Sequence, residues 1–556
     1  MFDHIVPAPG ERQPMGAILR SRTAFPGWGS FLVLVLCACV LCGAAIFRSV
    51  EYDENYSVFV TSGIARPAWP EAAFTREAVP APFSARTGPT RTMQILRDTD
   101  VHPPLYFMSL RLWRDLAGDS LLALRGLSVV FALAAVLAWM VTAWRAGIPP
   151  LAVGLTLTLA YGFGYTGHIA RGFALAHLLV AIAALAGHEA WLATRAKRPA
   201  WAAWAAAAGL AAGLATLTNY LAVFPAAAAM GWLVLAAPGN RRRVLMAVAV
   251  GLPFACMLAG DLYFFLAQKD ARVEQFEPFR LIAVASRLAQ FNAASLFGGL
   301  PLYVTGAARS MLSGGMAMLL LAVAVAVAWV WRRLPPTRWL WLLGALAPSL
   351  GLVVLGLVFG NSPIELRYVA FAMPFVAVLI AAAAAAWFQA APRATAAAFA
   401  VLLAVEAAGT LGMQLHPATQ QPFRQAVAAA KPYLGEGDVL LVPFGNDGVG
   451  ITGSVLREVP ADQPMIVLRS RTVASAPGRA AGFRRAVLLG VGDRDGTEQA
   501  RAAVSAFRSD AGWCSAGVVW RDSRGDYVEV FDKAPQPPDP ESSTRACSDR
   551  PTAKAG

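Results

Sequence analysis

Apolar runs long enough to cross a lipid bilayer recur through the first three quarters of this sequence. A spanning helix needs about 17 to 25 predominantly apolar residues, and in lipid the backbone must satisfy its own hydrogen bonds. These runs therefore predict about eleven transmembrane helices, with a further amphipathic or partial span near 281–300. The eleven predicted spans lie near 31–47, 121–143, 151–166, 173–193, 201–217, 220–237, 245–266, 311–331, 339–358, 369–388 and 394–412.

Composition supports a membrane protein and argues against a nucleic-acid partner. Hydrophobic residues make up 57% of the chain and charged residues 15%, against roughly 25% charged residues in soluble domains. The formal net charge is +13, but the Lys and Arg residues lie in short loops between spans, where topology accounts for them. We find no basic face with interleaved aromatic residues of the kind that binds nucleic acid.

The basic residues also predict the topology. Arg12, Arg20 and Arg22 precede the first span, which places residues 1–30 in the cytoplasm. No clear cleavage site follows, so an uncleaved span is favoured over a signal peptide. If the spans alternate, every tight basic cluster falls on the cytoplasmic side, and the high Ala and Arg content suggests a bacterial inner membrane. The clusters are Arg145; Arg195, Lys197 and Arg198; Arg241, Arg242 and Arg243; Arg332, Arg333 and Arg338; and Arg393.

From about Leu415 the long apolar runs stop, and short strands alternate with helices. This pattern predicts a small α/β domain over residues 413–532, on the periplasmic side. Lys533 begins a tail, 533–556, whose Pro, Ser and Asp content predicts disorder. Cys514 and Cys547 would pair only in an oxidising compartment, and the sequence leaves that pairing open. The predicted strands are 438–443, 465–468, 486–489, 517–520 and 527–531, and the predicted helices 422–434 and 497–507.

A long polar loop, 48–120, follows the first span and carries two groups of chemically active residues. Asp53 and Glu54 lie close to the membrane exit, where a carboxylate can accept a proton from an attacking hydroxyl or position that hydroxyl. Neighbouring residues in a loop do not easily point into one site, so we expect one carboxylate to be catalytic and the other to orient it. The alternative is a pair of ordinary surface acids.

The second group is Asp100 and His102, ahead of Pro103 and Pro104. The two prolines fix the backbone and lack N–H donors. A rigid Pro-Pro element can hold Asp100 and His102 over one site. His102 binds phosphate when protonated and donates one hydrogen bond when neutral. The alternative is only a stiff start to the amphipathic helix predicted over 105–116, which could lie in the membrane interface.

Taken together, these two groups resemble the signature of a known superfamily. Asp53-Glu54 followed by Asp100-x-His102-Pro103-Pro104-Leu105 is similar to the motif pair of protein O-mannosyltransferases and of bacterial relatives that transfer sugars to lipid A or other envelope glycans. These are membrane glycosyltransferases of the GT-C fold, and the resemblance covers roughly 31–412. It departs from the lipid A aminoarabinose transferases, which have Lys where this chain has His102. Similar segments lie at 118–120, 123–128, 168–175 and 365–368.

The resemblance implies a GT-C-like domain over 31–412 and a function. The enzyme would move a hexosyl or pentosyl group from a polyprenyl-phosphate donor to a glycolipid, polysaccharide or protein, with inversion. Asp53 and Glu54 would be catalytic. The departing phosphate gathers negative charge, so His102, Arg171 and Arg367 would bind it. Glu365 is expected to pair with Arg367, because an interfacial ion usually has a partner. The expected supporting residues are Asp100, Tyr56, Arg125, Asn219, Tyr220 and Tyr368.

Several of these residues also have a purely structural explanation. Arg171 and Arg367 could be snorkelling residues that anchor helix ends, Asn219 could be a helix cap, and Arg125 could be structural. The scheme requires no cofactor, although Asp53, Glu54 and Asp100 offer oxygen ligands for Mg²⁺ or Mn²⁺.

Two other functions compete with sugar transfer. A transporter or flippase of a lipid-linked sugar would share the spans, but such proteins tend to show internal repeats and charges near the membrane midplane. We find no repeat, and the candidate charges lie at one face. A structural or assembly protein would leave the loop motifs unexplained. We also find no G-x-G-x-x-G or P-loop motif, which fits a donor that is not a nucleotide sugar.

Overall fold

A computed structural model describes residues 25–269, 276–416, 418 and 421–534. Most of the predicted cytoplasmic N-terminus, nearly all of the predicted disordered tail, and Cys547 lie outside the described residues. The chain divides into two compact units. The first unit comprises 1–46, 96–302 and 306–415, and the second comprises 47–95, 303–305 and 416–556.

Helices dominate the described residues, and they are labelled here in chain order. From the N-terminus they are α1 (Gly27–Phe47), α2 (Tyr52–Thr61), α3 (Ala81–Ser84), α4 (Pro89–Thr99), α5 (Leu105–Ala117), α6 (Leu121–Arg145), α7 (Pro150–Leu159), α8 (Tyr161–His168), α9 (Phe173–Arg195), α10 (Trp201–Thr216), α11 (Val223–Leu235), α12 (Asn240–Gln268), α13 (Leu281–Phe297), α14 (Gly306–Trp329), α15 (Arg338–Phe359), α16 (Leu366–Val369), α17 (Met373–Phe388), α18 (Pro392–Leu415), α19 (Phe423–Ala430), α20 (Gly450–Glu458), α21 (Ala476–Arg479) and α22 (Arg494–Ser509).

Eight helices in the first unit are long and apolar enough to cross a membrane, among the described residues. They are Gly27–Phe47, Leu121–Arg145, Phe173–Arg195, Asn240–Gln268, Gly306–Trp329, Arg338–Phe359, Leu366–Phe388 and Pro392–Leu415. The other three predicted spans coincide with shorter apolar helices, Pro150–Leu159, Trp201–Thr216 and Tyr220–Leu235. The multi-pass helical architecture is therefore confirmed, whereas the count of eleven spans is not. The stretch near 281–300 forms α13, which is also shorter than a full span.

Small residues allow several of these helices to approach closely. A Cβ added to Gly209 of α10 would lie 2.0 Å from the carbonyl oxygen of Val250 in α12, and one added to Gly213 would lie 2.5 Å from Cβ of Met257. Glycine at both positions is what the contact between α10 and α12 requires. Association in lipid depends on such close packing, because burial from water contributes little there.

The second unit contains a five-stranded sheet, β1 (Asp438–Pro443), β2 (Met465–Leu468), β3 (Arg485–Gly490), β4 (Trp513–Arg521) and β5 (Tyr527–Lys533). The strand order is β2-β1-β3-β5-β4. The first three strands are parallel, and β5 pairs antiparallel with both β3 and β4. All five predicted strands coincide with these strands, and the α/β class of this part is confirmed. The sequence analysis missed α20 and α21. Cys514 in β4 is disulfide-bonded.

The first polar loop differs from the expectation. We expected 48–120 to belong with the spans, but residues 47–95 fall in the second unit. Within this segment Phe59, Trp69, Phe74 and Phe83 form an aromatic cluster, with ring centroids 5.3–6.3 Å apart. Phe74 also exchanges two backbone hydrogen bonds with Met465, of 2.8 and 3.0 Å, so this loop adds a bridge to β2.

Candidate functional site

Three predicted residues of the first unit form one buried cluster. Nδ1 of His102 lies 2.9 Å from Oδ1 of Asp100, and Arg171 approaches the other carboxylate oxygen at 3.7 Å. Asp100 is 4% exposed and Arg171 1%, while the His102 side chain keeps 19% of its surface exposed. The cluster thus pairs a buried guanidinium and carboxylate with an imidazole that reaches a cavity.

Arg171 contacts His102 directly. One guanidinium nitrogen lies within hydrogen-bonding distance of both ring nitrogens of His102, 2.9 Å from Nδ1 and 3.2 Å from Nε2. The guanidinium carbon of Arg171 also lies 5.6 Å from the ring centre of Phe107, a distance at which a cation is attracted to an aromatic ring. The guanidinium is therefore held by Asp100, His102 and Phe107.

The backbone around His102 is fixed from several directions. Pro103 and Pro104 restrict its conformation, and the N–H of Leu105 donates to the carbonyl of Leu217 at 2.9 Å. Gln268 donates to the His102 carbonyl at 3.3 Å. The Tyr220 hydroxyl in turn donates to Oε1 of Gln268 at 2.7 Å. The expected rigidity of the Pro-Pro element is therefore supported by a side-chain network at the end of α12.

A cavity of about 200 Å³ lies beside this cluster. Four residues predicted for the site line it: His102, Asn219, Tyr220 and Tyr368. The sequence analysis missed further polar residues on its wall. They are Gln268, Lys269 and Asn361. Lys269 carried a weak signal, because it stands at the end of a predicted span with no other cation beside it. The two amides carried none, since ordinary polar residues also stand at helix ends.

The remaining predicted residues of the first unit have specific partners. Nε of Arg367 lies 2.6 Å from Oε2 of Glu365, so this predicted pair is confirmed. Arg125 is fully buried and donates to the carbonyl of Ala45 in α1 at 2.9 Å, which supports its structural reading. Asn219 accepts from the N–H of Leu221 at 3.1 Å; it is therefore a helix cap that also lines the cavity.

The predicted catalytic carboxylates lie in the second unit, and not in a loop. Asp53 and Glu54 belong to the first turn of α2, whose residues from Asp53 to Thr61 are all buried. Glu54, 1% exposed, accepts from the N–H of Glu51 at 2.8 Å and completes a capping box. That contact gives Glu54 a structural task at the start of the helix. Asp53, 8% exposed, is the better candidate for chemistry.

A second, apolar cavity of about 690 Å³ also belongs to the first unit. It lies among α13, α14, α15 and α17, and nearly all of its lining is aliphatic or aromatic. Asn292 and Ser349 are the polar lining residues, and they hydrogen-bond to each other at 2.9 Å. The lining of this cavity is suited to apolar chains rather than to charged groups.

No group of three or more His, Cys, Asp or Glu residues is placed to hold a metal ion within the described part of the chain. A Mg²⁺ or Mn²⁺ site at Asp53, Glu54 and Asp100 stays an untested prediction.

Comparison with known proteins gives similarity at the level of solved structures. No family model matches the sequence, and no curated protein matches it. The chain is similar to ArnT from Cupriavidus metallidurans bound to undecaprenyl phosphate, with a TM-score of 0.46 and 16% identity over 91% of this chain and 98% of that chain. It is also similar to the arabinofuranosyltransferase AftD from Mycobacteria, with a TM-score of 0.44 and 14% identity over 93% of this chain and 40% of that one.

A third similar structure is the S. cerevisiae protein O-mannosyltransferase Pmt1-Pmt2 complex bound to the sugar donor. Its TM-score is 0.32, with 16% identity over 46% of this chain and 36% of that chain. Protein O-mannosyltransferases are one of the groups that the two loop motifs resemble. All three structures are of glycosyltransferases with the GT-C fold.

Proposed function

We propose that this chain is a membrane glycosyltransferase that moves a sugar from a polyprenyl-phosphate donor to an envelope acceptor on the periplasmic side of a bacterial inner membrane. The observation that carries the proposal is the buried Asp100–His102–Arg171 cluster beside a cavity lined by hydrogen-bonding side chains. A fixed cation beside a cavity that has hydrogen-bonding side chains on its wall suits the recognition of a phosphate. The second loop motif that resembles protein O-mannosyltransferases supplies Asp100 and His102, and the similar segment at 168–175 supplies Arg171.

In the proposed reaction, the acceptor oxygen forms a bond to the anomeric carbon while the bond from that carbon to the phosphate oxygen breaks. The electron pair leaves with the lipid phosphate, so negative charge grows there. Arg171, held by Asp100 and His102, stabilises that charge without reorganising. Attack from the opposite face inverts the anomeric centre. Arg367 and Lys269 are further cations for the phosphate.

Asp53 is the proposed acceptor of the hydroxyl proton. Its side chain is mostly shielded from water, and a carboxylate in such a place can accept the proton of a hydroxyl that is held against it. The proposed step requires no cofactor.

The cavity beside His102 offers polar side chains to a sugar, and the apolar cavity suits a prenyl chain. Asn219, Tyr220 and Asn361 offer donors and acceptors for hydroxyl groups. The 690 Å³ apolar cavity falls within the usual range for small-molecule pockets. Its aliphatic wall would take isoprene units in place of membrane lipid.

The test compares the envelope glycans and glycolipids of four strains by mass spectrometry: the parent, a deletion strain, an Asp53→Asn strain and an Asp98→Asn strain. Asp98 is an exposed acid of α4, so its variant is the matched control. Each variant must first reach the membrane at the parent level. We expect one sugar to be absent from the deletion and the Asp53→Asn strain and present in the Asp98→Asn strain.

If the deletion loses a sugar that Asp53→Asn retains at the parent level, Asp53 is not the base and a flippase becomes the better reading. If the deletion changes no glycan, the chain is not the proposed transferase.

A further inference from the structure

The second unit contains an open α/β sheet, and helix α2 of the same unit packs on the loops at the carboxyl ends of its parallel strands. Strands β2, β1 and β3 are parallel, and β1 leads into α20 whereas β3 leads into α22. Helix α20 packs with α19 and α2, and α22 packs with α21. Sheets of this kind bind ligands outside the carboxyl ends of the strands, where the chain turns in opposite directions from neighbouring strands.

At that edge the loops after β1 and β3 hold the hydroxyl of Tyr52. It donates to Oδ1 of Asn446 at 2.7 Å and lies 3.3 Å from Oδ2 of Asp493. One turn along α2, the Tyr56 hydroxyl donates to Oδ2 of Asp447 at 2.5 Å. Burial raises the pKa of both tyrosines above the ordinary value, so both hydroxyls keep their protons and can donate to the carboxylates.

The same face of α2 also packs on α20 through two glycines. A Cβ on Gly450 would lie 2.1 Å from the ring of Tyr52, and one on Gly453 would lie 3.0 Å from Asn55 and Phe59. Asn55 donates to the hydroxyl of Ser454 at 2.8 Å, and Arg457 donates to Asn55 at 3.1 Å. The spacing of Tyr52, Asn55 and Phe59 is that of one helix face.

We propose that the α/β part of the second unit acts as a clamp that positions Asp53, with Tyr52, Asn55 and Tyr56 as its positioning residues. The inference rests on the proposed function, since Asp53 is the base only if the chain transfers a sugar. Asp53 stands between Tyr52 and Asn55 in one helical turn, so the contacts on both sides fix its place along α2 and its rotation about the helix axis. The crevice that would bind a ligand in a free-standing α/β domain here binds the helix that carries the base.

The clamp explains why an α/β domain with a ligand-type edge follows the spans in this chain. A base that is misplaced by about 1 Å can lose about a hundredfold in rate, and a ten-residue helix is only marginally stable without tertiary contacts. The helix therefore depends on the sheet edge for its position. The contacts of α2 with α20 and with the loops after β1 and β3 give the α/β part a role without requiring that it bind the acceptor.

The experiment uses the purified full chain in lipid nanodiscs, with Tyr52→Phe, Tyr56→Phe and the double variant. Each change removes a hydroxyl and keeps the ring, so the packing on α20 stays. Tyr433→Phe, at a half-buried tyrosine of the same unit, is the matched control. Undecaprenyl phosphate is the binding probe. The number of its binding sites per chain measures the fraction of the protein that is folded. Turnover is measured with lipid extract of the parent strain as donor and extract of the deletion strain as acceptor.

We expect the double variant to keep the wild-type number of undecaprenyl phosphate sites and the wild-type half-saturating amount of donor extract, while its maximal rate falls at least tenfold. Tyr433→Phe should match the wild type in all three quantities. An unchanged maximal rate in the double variant would overturn the inference. A loss of binding sites in proportion to the loss of rate would also overturn it, because the tyrosines would then only keep the chain folded.

Failure of the proposed function has a separate signature. In that case the wild-type chain itself transfers no sugar between the extracts, whatever the tyrosine variants do, and both proposals fall together.

Discussion

Replacing Gly450 by Ala should loosen α2 from the sheet edge without unfolding the second unit. The added methyl carbon would lie 2.1 Å from two ring carbons of Tyr52, whereas carbon atoms in good contact are about 3.5–4.0 Å apart. The ring must therefore retreat by about 1.5 Å. Its 2.7 Å hydrogen bond to Asn446 cannot survive that shift, because such bonds weaken well before 3.6 Å.

The cost can be bounded from two opposing effects. Overpacking of a close contact costs about 1–3 kcal/mol. Ala in place of Gly stabilises a helix by at most about 1 kcal/mol. Gly450 is the first residue of α20, so the stabilisation of the helix by Ala is smaller at this position. The docked state of α2 is therefore destabilised by about 1–2 kcal/mol. This change raises the equilibrium constant for opening of α2 about tenfold.

Hydrogen exchange of the full chain, read by mass spectrometry, measures this opening locally. Peptides from Tyr52–Thr61 should exchange about tenfold faster in Gly450→Ala, while peptides from β3 should keep their rates. Gly453→Ala is the intermediate case, because its Cβ would lie 3.0 Å from Asn55 and Phe59. Gly478→Ala is the control, since no atom lies within 4 Å of its added Cβ.

Two results would refute this reasoning. If Gly450→Ala and Gly478→Ala exchange alike over α2, the close contact does not hold the helix. If β3 loses protection together with α2, the substitution unfolds the whole unit and the local calculation fails.

Three further predictions concern other parts of the chain. Arg171→Lys should weaken undecaprenyl phosphate binding by about tenfold or more, measured in nanodiscs, because a Lys ammonium lacks the planar fork of donors with which Arg171 contacts Asp100 and His102; unchanged binding would exclude Arg171 from the phosphate site. Gln268→Leu should weaken the same binding several-fold, because it removes the support of the His102 loop, whereas the exposed control Gln290→Leu should not. Burial raises the pKa of Asp526 from 3.8 to about 6. Folded protein then holds the proton that unfolded protein releases, so stability of the second unit should fall as pH rises from about 4 to 6. Thermal unfolding should show this slope in the wild type and lose it in Asp526→Asn, and a slope that persists there would assign it to another group.

The strands and helices could be read from sequence wherever one physical signal dominates. Apolar length marks the spans, and alternation of short apolar strands with helices marks the α/β part, where β1 and β2 have the predicted bounds. Helix α20 was missed because its sequence, Gly450-Ile-Thr-Gly-Ser, is poor in helix formers. Its glycines serve the contact with α2, and a single sequence shows no sign of a partner that lies about 400 residues away.

The candidate site likewise contains residues that could be predicted from the sequence and residues that could not. His102, Asn219, Tyr220 and Tyr368 were expected together and do line one cavity, because each carries a polar group at the end of an apolar run. Gln268 could not be found, since its role depends on which carbonyl it reaches. From the sequence we expected one of Asp53 and Glu54 to be catalytic and the other to orient it, and the capping hydrogen bond gives Glu54 a structural task that the sequence does not show.

The placement of α2 changes what the first polar loop can be. Read as a flexible loop, it would have to order itself around the substrates and lose conformational entropy in every turnover, at about 1–2 kcal/mol per residue fixed. Read as a helix that is capped by Glu54, packed on two glycines and hydrogen-bonded through Tyr52 and Tyr56, it has already lost that freedom on folding. A preorganised base of this kind needs a stable support, and the sheet of the second unit provides one. The domain that follows the spans is then as much a part of the proposed catalytic apparatus as the spans themselves.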